Sequence, residues 1–181
     1  MYTAIRTHHF EMAHRLVEHP GACARIHGHS YKLEIEVGIK PVMRDTQEET
    51  YFRPDGSIAT AVRFCAPVVS RPLNNMGMVM DFGEIKQRIC QWINNNWDHR
   101  MMLWELDPIL APPHSLLSAL SLAGIGHSVV VVPFNPTAEN MAEYLLNHVC
   151  PHALGKDSPV EVVAITLHET SKCRVRVTKE P

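Results

Sequence analysis

The sequence has no apolar stretch approaching the span of a transmembrane helix. Its first residues, Met1-Tyr2-Thr3-Ala4-Ile5-Arg6, hold no run of signal-peptide length. A cytoplasmic location with no membrane partner is the expectation. C-x-x-C pairs are also missing, and the five cysteines (Cys23, Cys65, Cys90, Cys150, Cys173) are odd in number and widely spaced. That argues against a disulfide framework and leaves most of them as inert core thiols. No one sign of charge prevails: 17 basic against 19 acidic side chains give a formal net charge of -2, so binding to nucleic acid or to an anionic membrane is not expected. A local basic pocket remains compatible with that balance. There is no internal repeat, no low-complexity segment and no shift in composition along the 181 residues, so residues 1–181 read as a single domain with one substantial core.

Histidine is abundant, with 12 in the chain. His27-Gly28-His29 stands at the mouth of an alternating apolar run, Tyr31, Leu33, Ile35 and Val37. In an extended segment alternate side chains share a face, so both imidazoles point the same way. Gly28 puts no side chain on the opposite face and lets other groups come close. His14 precedes the pair by enough chain to turn back and lie on a neighbouring strand. Three convergent neutral imidazoles suit Zn²⁺, and three protein ligands with an open position describe a catalytic rather than a structural site. The competing reading is an ordinary surface or core histidine, since a His-rich chain produces H-x-H pairs by chance. Cys23 shifts the balance towards chemistry. It lies just before His27, close enough to be a fourth ligand or a base whose thiol pKa a nearby cation lowers.

Along the chain, residues 2–13 read as a strand with His14 at its end, and residues 16–26, with Pro20-Gly21, as a loop that carries Cys23 round towards the metal. Residues 30–39 are the clearest strand. Residues 40–76 are an excursion between core strands, with a hairpin expected between 58–64 and 68–70. Residues 77–80 read as a strand, and Asp81 opens a helix over 82–97 with Glu84 where a capping-box partner sits. Phe82, Ile85, Ile89, Ile93 and Trp97 form that helix's apolar stripe. The helix runs into Asp98-His99-Arg100, where histidine at a helix end is also a commonplace dipole partner.

A loop with a short helix is expected over 105–127, and an apolar strand over 129–132. Asn135 or Thr137 caps a second helix, with Pro136 tolerated in its first turn and Met141, Tyr144, Leu145, His148 and Val149 on a stripe. Strands over 159–168 and 173–178 make a hairpin with Glu169 at its turn. The expected architecture is α+β, an antiparallel four-stranded sheet with two helices on one face. Its open edges invite pairing between subunits.

Six stretches taken together carry a resemblance: Phe10-Glu11-Met12-Ala13-His14-Arg15-Leu16, Cys23 to Tyr31, Gly77-Met78-Val79-Met80-Asp81-Phe82, Asp98-His99, Asn135-Pro136-Thr137-Ala138-Glu139-Asn140 and His168-Glu169-Thr170. In this order they resemble the 6-pyruvoyl-tetrahydropterin synthase family, and more closely its bacterial branch, the 6-carboxy-tetrahydropterin synthases of queuosine (7-deazaguanine) biosynthesis. The resemblance implies a tunnelling fold, in which subunit sheets join into a barrel and two trimeric rings stack into a homohexamer with active sites between subunits. It implies zinc on His14, His27 and His29, Cys23 as catalytic base, and Asp98 with His99 in proton transfer. Glu169 would anchor a pterin ring, with Thr137 and Glu139 in the pocket wall. Segments near 40–76 and 105–127 are longer than the compact family pattern.

The implied reaction is that of a zinc-dependent carbon–oxygen lyase. It converts 7,8-dihydroneopterin triphosphate to 6-carboxy-5,6,7,8-tetrahydropterin, with release of acetaldehyde and triphosphate. The pyruvoyl-forming reaction, which eliminates only triphosphate, is the nearest alternative, and a non-catalytic pterin- or zinc-binding homologue is a second. The residue types suit this chemistry, because a metal-lowered thiolate can move a proton on and off carbon and a carboxylate matches the amino and ring N–H groups of a pterin. Arg25, Arg100 and Lys172 are the candidate cations for a triphosphate.

Overall fold

Strict alternation of apolar and polar residues builds the two longest strands, and they pair with each other. The computed structural model describes residues 2–40, 47–53, 55, 57–63, 73–112 and 115–179. In it β1 (Thr3–His14) and β2 (His27–Ile39) run antiparallel from Thr3 opposite Gly38 to His14 opposite His27. Tyr31, Leu33, Ile35 and Val37 are wholly buried, while Lys32, Glu34 and Glu36 keep partial access to solvent on the other face. Each such aliphatic side chain contributes roughly 1.5–3 kcal/mol on burial.

β3 (Gln47–Phe52) and β4 (Ile58–Arg63) form a separate two-stranded sheet. β5 (Arg100–Trp104), β6 (Val129–Val132), β7 (Val160–His168) and β8 (Arg174–Thr178) join the main sheet, whose order is β6-β5-β1-β2-β7-β8. β7 and β8 continue the antiparallel side, whereas β5 and β6 add to the β1 edge in parallel.

Two long helices cover the apolar face. Helix α1 is continuous through Phe82–Ile85, a π-helical turn Lys86–Cys90, and Gln91–Asn96. A short α2 (Leu116–Leu122) follows in the β5–β6 connection. Helix α3 runs through Ala138–Tyr144, a π-helical turn Leu145–Val149, and Cys150–Leu154. That turn directly precedes Pro151, whose ring has no N–H to donate, so the ladder is adjusted where a bond would be lost. Gly155 ends the helix at φ 87°, a conformation that favours glycine. The core joins Ile85, Ile89, Ile93 and Trp97 of the α1 region to Met141, Leu145 and Val149 of α3 and to the β2 stripe. Phe10 stacks on Tyr31 with ring centroids 5.0 Å apart.

The sheet has six strands, not the four antiparallel ones expected. β5 lacks polar alternation because Met102 and Leu103 are consecutive and both fully buried, the pattern of a parallel strand covered on both faces. The run over 129–132 does form a strand, β6, and the short helix expected within 105–127 is α2. Residues 77–80 are not a strand. The Asn74 carboxamide accepts from the Met76 and Met78 amides (3.0 and 2.9 Å), and Gly77 has φ 78°, so the chain turns there. Phe82, expected on the buried stripe, is exposed at the first turn of α1, and His148 is exposed on α3. Asp81 caps α1 by accepting from Gly83 N, but Glu84 pairs with Arg88. β4 pairs with β3; the expected partner, 68–70, lies outside the described residues, as does Cys65. Among the described residues no helix is long and apolar enough to cross a membrane.

Ile93 has no exposed surface and sits between α1 and the sheet. Ile93→Ala is expected to cost about 2–5 kcal/mol of unfolding free energy, measured by urea titration; a loss well under 1 kcal/mol would contradict this packing.

Candidate metal centre and adjoining cavity

The β1–β2 register delivers the histidines. His14 lies directly opposite His27, and His29 lies opposite Met12, so all three project from the helix-covered face at the end of the hairpin next to its connecting loop. Their ring centroids are 4.6 Å (His14–His27), 5.3 Å (His14–His29) and 5.0 Å (His27–His29) apart. One donor atom from each lies within 4.8 Å of the others. Gly28 sits between the two β2 ligands where a Cβ would come within 3.3 Å of the Met12 carbonyl oxygen, in keeping with the close approach expected there.

Backbone carbonyls fix two of the rings. His14 Nδ1 and His27 Nδ1 lie 2.8 Å from the carbonyl oxygens of Pro136 and Arg25. A carbonyl can only accept, so each Nδ1 carries hydrogen and each Nε2 keeps a free lone pair in the neutral ring. His29 Nε2 is buried with no hydrogen-bond partner among the described residues. Burial is the main cause lowering the His14 pKa, with His27 adding to it and the Pro136 carbonyl and Glu169 opposing. Burial likewise lowers His29 against the pull of Glu169. Lowered pKa values at His14 and His29, tautomers set at His14 and His27 and a buried nitrogen without a partner fit a divalent ion of the zinc type.

Two further groups face the cluster. Tyr31, two residues beyond His29 on the same face, has its hydroxyl 3.3 Å from His14 Nε2, and burial pushes its phenol pKa up. Glu169 Oε1 is 3.5 Å from His14 Nε2 and 3.7 Å from His29 Nε2. Glu169 belongs to the turn between β7 and β8, closed by Glu169 N donating to Cys173 O at 3.1 Å.

Glu169 also lines a cavity of about 170 Å³ together with Leu16, Thr137, Glu139, Cys173 and Arg174. The three residues expected in a pterin pocket thus share one wall. Thr137 has a second task there, capping α3 by accepting from Asn140 N at 3.2 Å. Pro136 lies before the cap, outside the helix, and Asn135 does not cap at all. Sequence reasoning missed Tyr31, Cys173 and Arg174. The period-two pattern of β2 pointed to Tyr31; nothing in the spacing singled out the other two.

Cys23 stands on a one-turn 3₁₀ helix (Ala22–Ala24) within the β1–β2 connection. Its carbonyl accepts from Leu16 N at 2.8 Å, which closes the loop, and its thiol is free and partly buried. It is not a member of the three-histidine donor group.

Asp98 and His99 lie elsewhere. They form the turn between α1 and β5, with His99 Nδ1 2.9 Å from Asp98 Oδ1. Asp98 Oδ1 accepts from Glu11 N at 2.8 Å, and His99 N donates to Glu11 O at 2.7 Å. His99 is exposed and lines a cleft of about 480 Å³ with Glu11, Gly28, Ser30 and Arg100. Glu11 and Ser30 are opposite each other in the register, alternating with Met12 and His29. Their side chains lie on the sheet face away from the imidazoles, but Met12 and His29 line the cleft as well, so it adjoins the rim of the three-histidine group.

The lowered histidine pKa values set a direction for acid. An unfolded chain protonates these rings near the ordinary value of 6.5, while the folded one resists. The unfolded state therefore binds more protons, and stability falls as pH drops below about 6.5. Metal-free protein should melt at progressively lower temperature on acidification through that range, and His14→Phe should flatten the dependence. An unchanged slope in the variant would remove His14 as its source.

A sequence model described as 6-pyruvoyl tetrahydropterin synthase matches residues 3–52 and 60–180. A 6-carboxy-5,6,7,8-tetrahydropterin synthase of Rickettsia bellii is 29% identical over 177 residues, covering 98% of this chain and 100% of the relative. One of the same name from Haemophilus influenzae is 25% identical, covering 94% of each. Among solved structures, an uncharacterized protein from Wolinella succinogenes superposes with a TM-score of 0.67 at 20% identity, covering 99% of this chain and 98% of that one. A Plasmodium vivax 6-pyruvoyltetrahydropterin synthase gives 0.59 at 14% identity, with both chains fully covered. These structures share the fold, and the match along nearly all of the sequence shows that the chain belongs to the 6-pyruvoyl tetrahydropterin synthase family.

Proposed function

We propose that this chain is, as a single domain, a zinc-dependent carbon–oxygen lyase of queuosine (7-deazaguanine) biosynthesis. With water as co-substrate it converts 7,8-dihydroneopterin triphosphate to 6-carboxy-5,6,7,8-tetrahydropterin, acetaldehyde and triphosphate. The observation that carries the reading is the convergence of the His14, His27 and His29 donor atoms beside a cavity walled by Thr137, Glu139 and Glu169. Near-full-length relatives named 6-carboxy-5,6,7,8-tetrahydropterin synthase supply the choice of reaction.

His14, His27 and His29 would hold the zinc, and the bound ion would supply Lewis-acid polarisation of the substrate's side-chain oxygens. Glu169, at the floor between the imidazoles and the cavity, accepts hydrogen bonds from the amino and ring N–H groups of the pterin and so orients the ring. Thr137 and Glu139 bound the same pocket. Cys23, carried on the loop that follows His14, takes a proton from the substrate side chain as thiolate, becomes the thiol, and returns to thiolate by giving that proton back to carbon in a later step. Asp98 orients the His99 imidazole through their 2.9 Å contact, so that the ring can deliver a proton. Among the described residues that pair bonds to the Glu11 main chain and to none of the three imidazoles, so it would serve the site of a second copy. This supports an oligomer with shared sites, a dimer of trimers in the family pattern.

The deciding experiment is product analysis after incubating purified, metal-analysed protein with 7,8-dihydroneopterin triphosphate. Acetaldehyde and the 6-carboxy product are expected in equal amounts; a pyruvoyl product without acetaldehyde would overturn the assignment. Cys23→Ala should lower turnover by about 10²–10⁴-fold while keeping its metal, whereas His27→Ala should lose the metal as well. A Cys23→Ala protein turning over at the parent rate would remove the thiol from the mechanism.

A further inference from the structure

The segment ahead of α3 contains a side chain that neither the helix cap nor the pocket uses. Asn135 reaches across to the β1–β2 connection and holds one residue of it from both sides. Its Oδ1 accepts from Val17 N, and its Nδ2 donates to Val17 O, each at 3.0 Å. A carboxamide set this way imitates the paired bonds of a strand neighbour, with both bonds partly buried. Asn135 is itself fastened, since its carbonyl accepts from Thr137 N at 2.7 Å and from Asn140 Nδ2 at 2.9 Å.

The grip falls on a consequential point. Val17 follows Leu16, whose amide donates to the carbonyl of Cys23, and it precedes Glu18, a non-glycine residue at φ 64°. One residue after Asn135, the Pro136 carbonyl orients His14. A single rigid strip thereby sets the tautomer of one imidazole and the position of the loop that carries the thiol. We propose that Asn135 is a positioning residue, which fixes Cys23 relative to the three-histidine centre by clamping Val17. This rests on the reading of Cys23 as the base and names the group that places it.

The test compares Asn135→Ala, Asn135→Asp and Thr137→Ala in the intact, metal-loaded protein. Site-resolved alkylation by iodoacetamide, with exposed Cys173 as internal reference, reports how firmly the Cys23 loop is held. Loss of two hydrogen bonds should speed Cys23 alkylation by about tenfold in Asn135→Ala. Asn135→Asp keeps the acceptor for Val17 N and should fall between parent and alanine. Turnover in Asn135→Ala should drop by about tenfold or more with KM within about twofold and metal content unchanged. Thr137→Ala removes the helix cap and should lower the melting temperature without speeding Cys23.

Equal acceleration in Thr137→Ala, or a Cys23 rate within twofold of the parent in Asn135→Ala, would overturn the clamp. If Asn135→Ala does not fold, Asn135→Asp carries the same two readouts. Alkylation needs no substrate, so a parent protein that turned over no pterin would sink the functional reading alone.

Discussion

Everything at the candidate centre depends on which residue of β1 faces which residue of β2. His14 opposite His27 puts two imidazoles across one ladder step, and alternation then sends His29 to the same face. A slip of one residue would turn His27 and His29 to the solvent face and bury Lys32, Glu34 and Glu36. The register is held by the fully buried stripe of Tyr31, Leu33, Ile35 and Val37, which starts beside the donors at Tyr31 and runs away from them along β2. Burying those side chains stabilises the ladder by several kcal/mol in all, enough to hold the histidines at the loop end of the hairpin. The fold thus spends its hydrophobic energy at one end of two strands to place polar groups at the other.

That placement has a cost, and its signs are visible. His14 is almost wholly buried, and the buried Nε2 of His29 finds no partner among the described residues. Burying an unmatched polar atom is unfavourable by about 1–3 kcal/mol. Carbonyls of Pro136 and Arg25 satisfy the Nδ1 sides, so the remaining need is concentrated on the lone pairs that face one another. An array of acceptors pointed at a common space is relieved by a cation, which neither apolar packing nor another acceptor can replace.

The parts of this arrangement that obey a period were legible in the sequence. β2, the His27–His29 pair, and the stripes of both long helices apart from exposed Phe82 and His148 follow from alternation or helical spacing. The β5 strand was not legible, because Met102 and Leu103 are both buried and the segment carries no alternation. Residues 77–80 misled for a different reason: an apolar run suggested a strand, whereas the Asn74 carboxamide binds two amides and turns the chain. At the site, Thr137, Glu139 and Glu169 do meet along one cavity. The Asp98–His99 pair is bonded instead to the main chain of Glu11. Adjacency in sequence could not reveal to which strand a turn between α1 and β5 would bond. The role of Asn135 was hidden because its partners are main-chain atoms of Val17, which have no signature in the sequence.

Two non-glycine residues among those described have positive φ, Glu18 at 64° and His99 at 57°. Neither is needed to build the sheet, and such conformations are unfavourable by roughly 1–3 kcal/mol each. Both are held by contacts made on an adjoining peptide or on their own. Val17 is gripped by Asn135 just before Glu18, and His99 N is bonded to Glu11 O while Asp98 accepts from Glu11 N. Strain that persists only because neighbours over-determine it marks a position where geometry matters more than local stability. Here the two strained positions adjoin the two groups assigned to proton movement, the loop bearing the Cys23 thiol and the His99 imidazole. An exposed turn with no such task could relax by adopting glycine; these two retain a charged and an ionisable side chain under tension. The two positive-φ positions thus fall in the loop after β1 and the turn after α1, beside the groups that the proposed function uses.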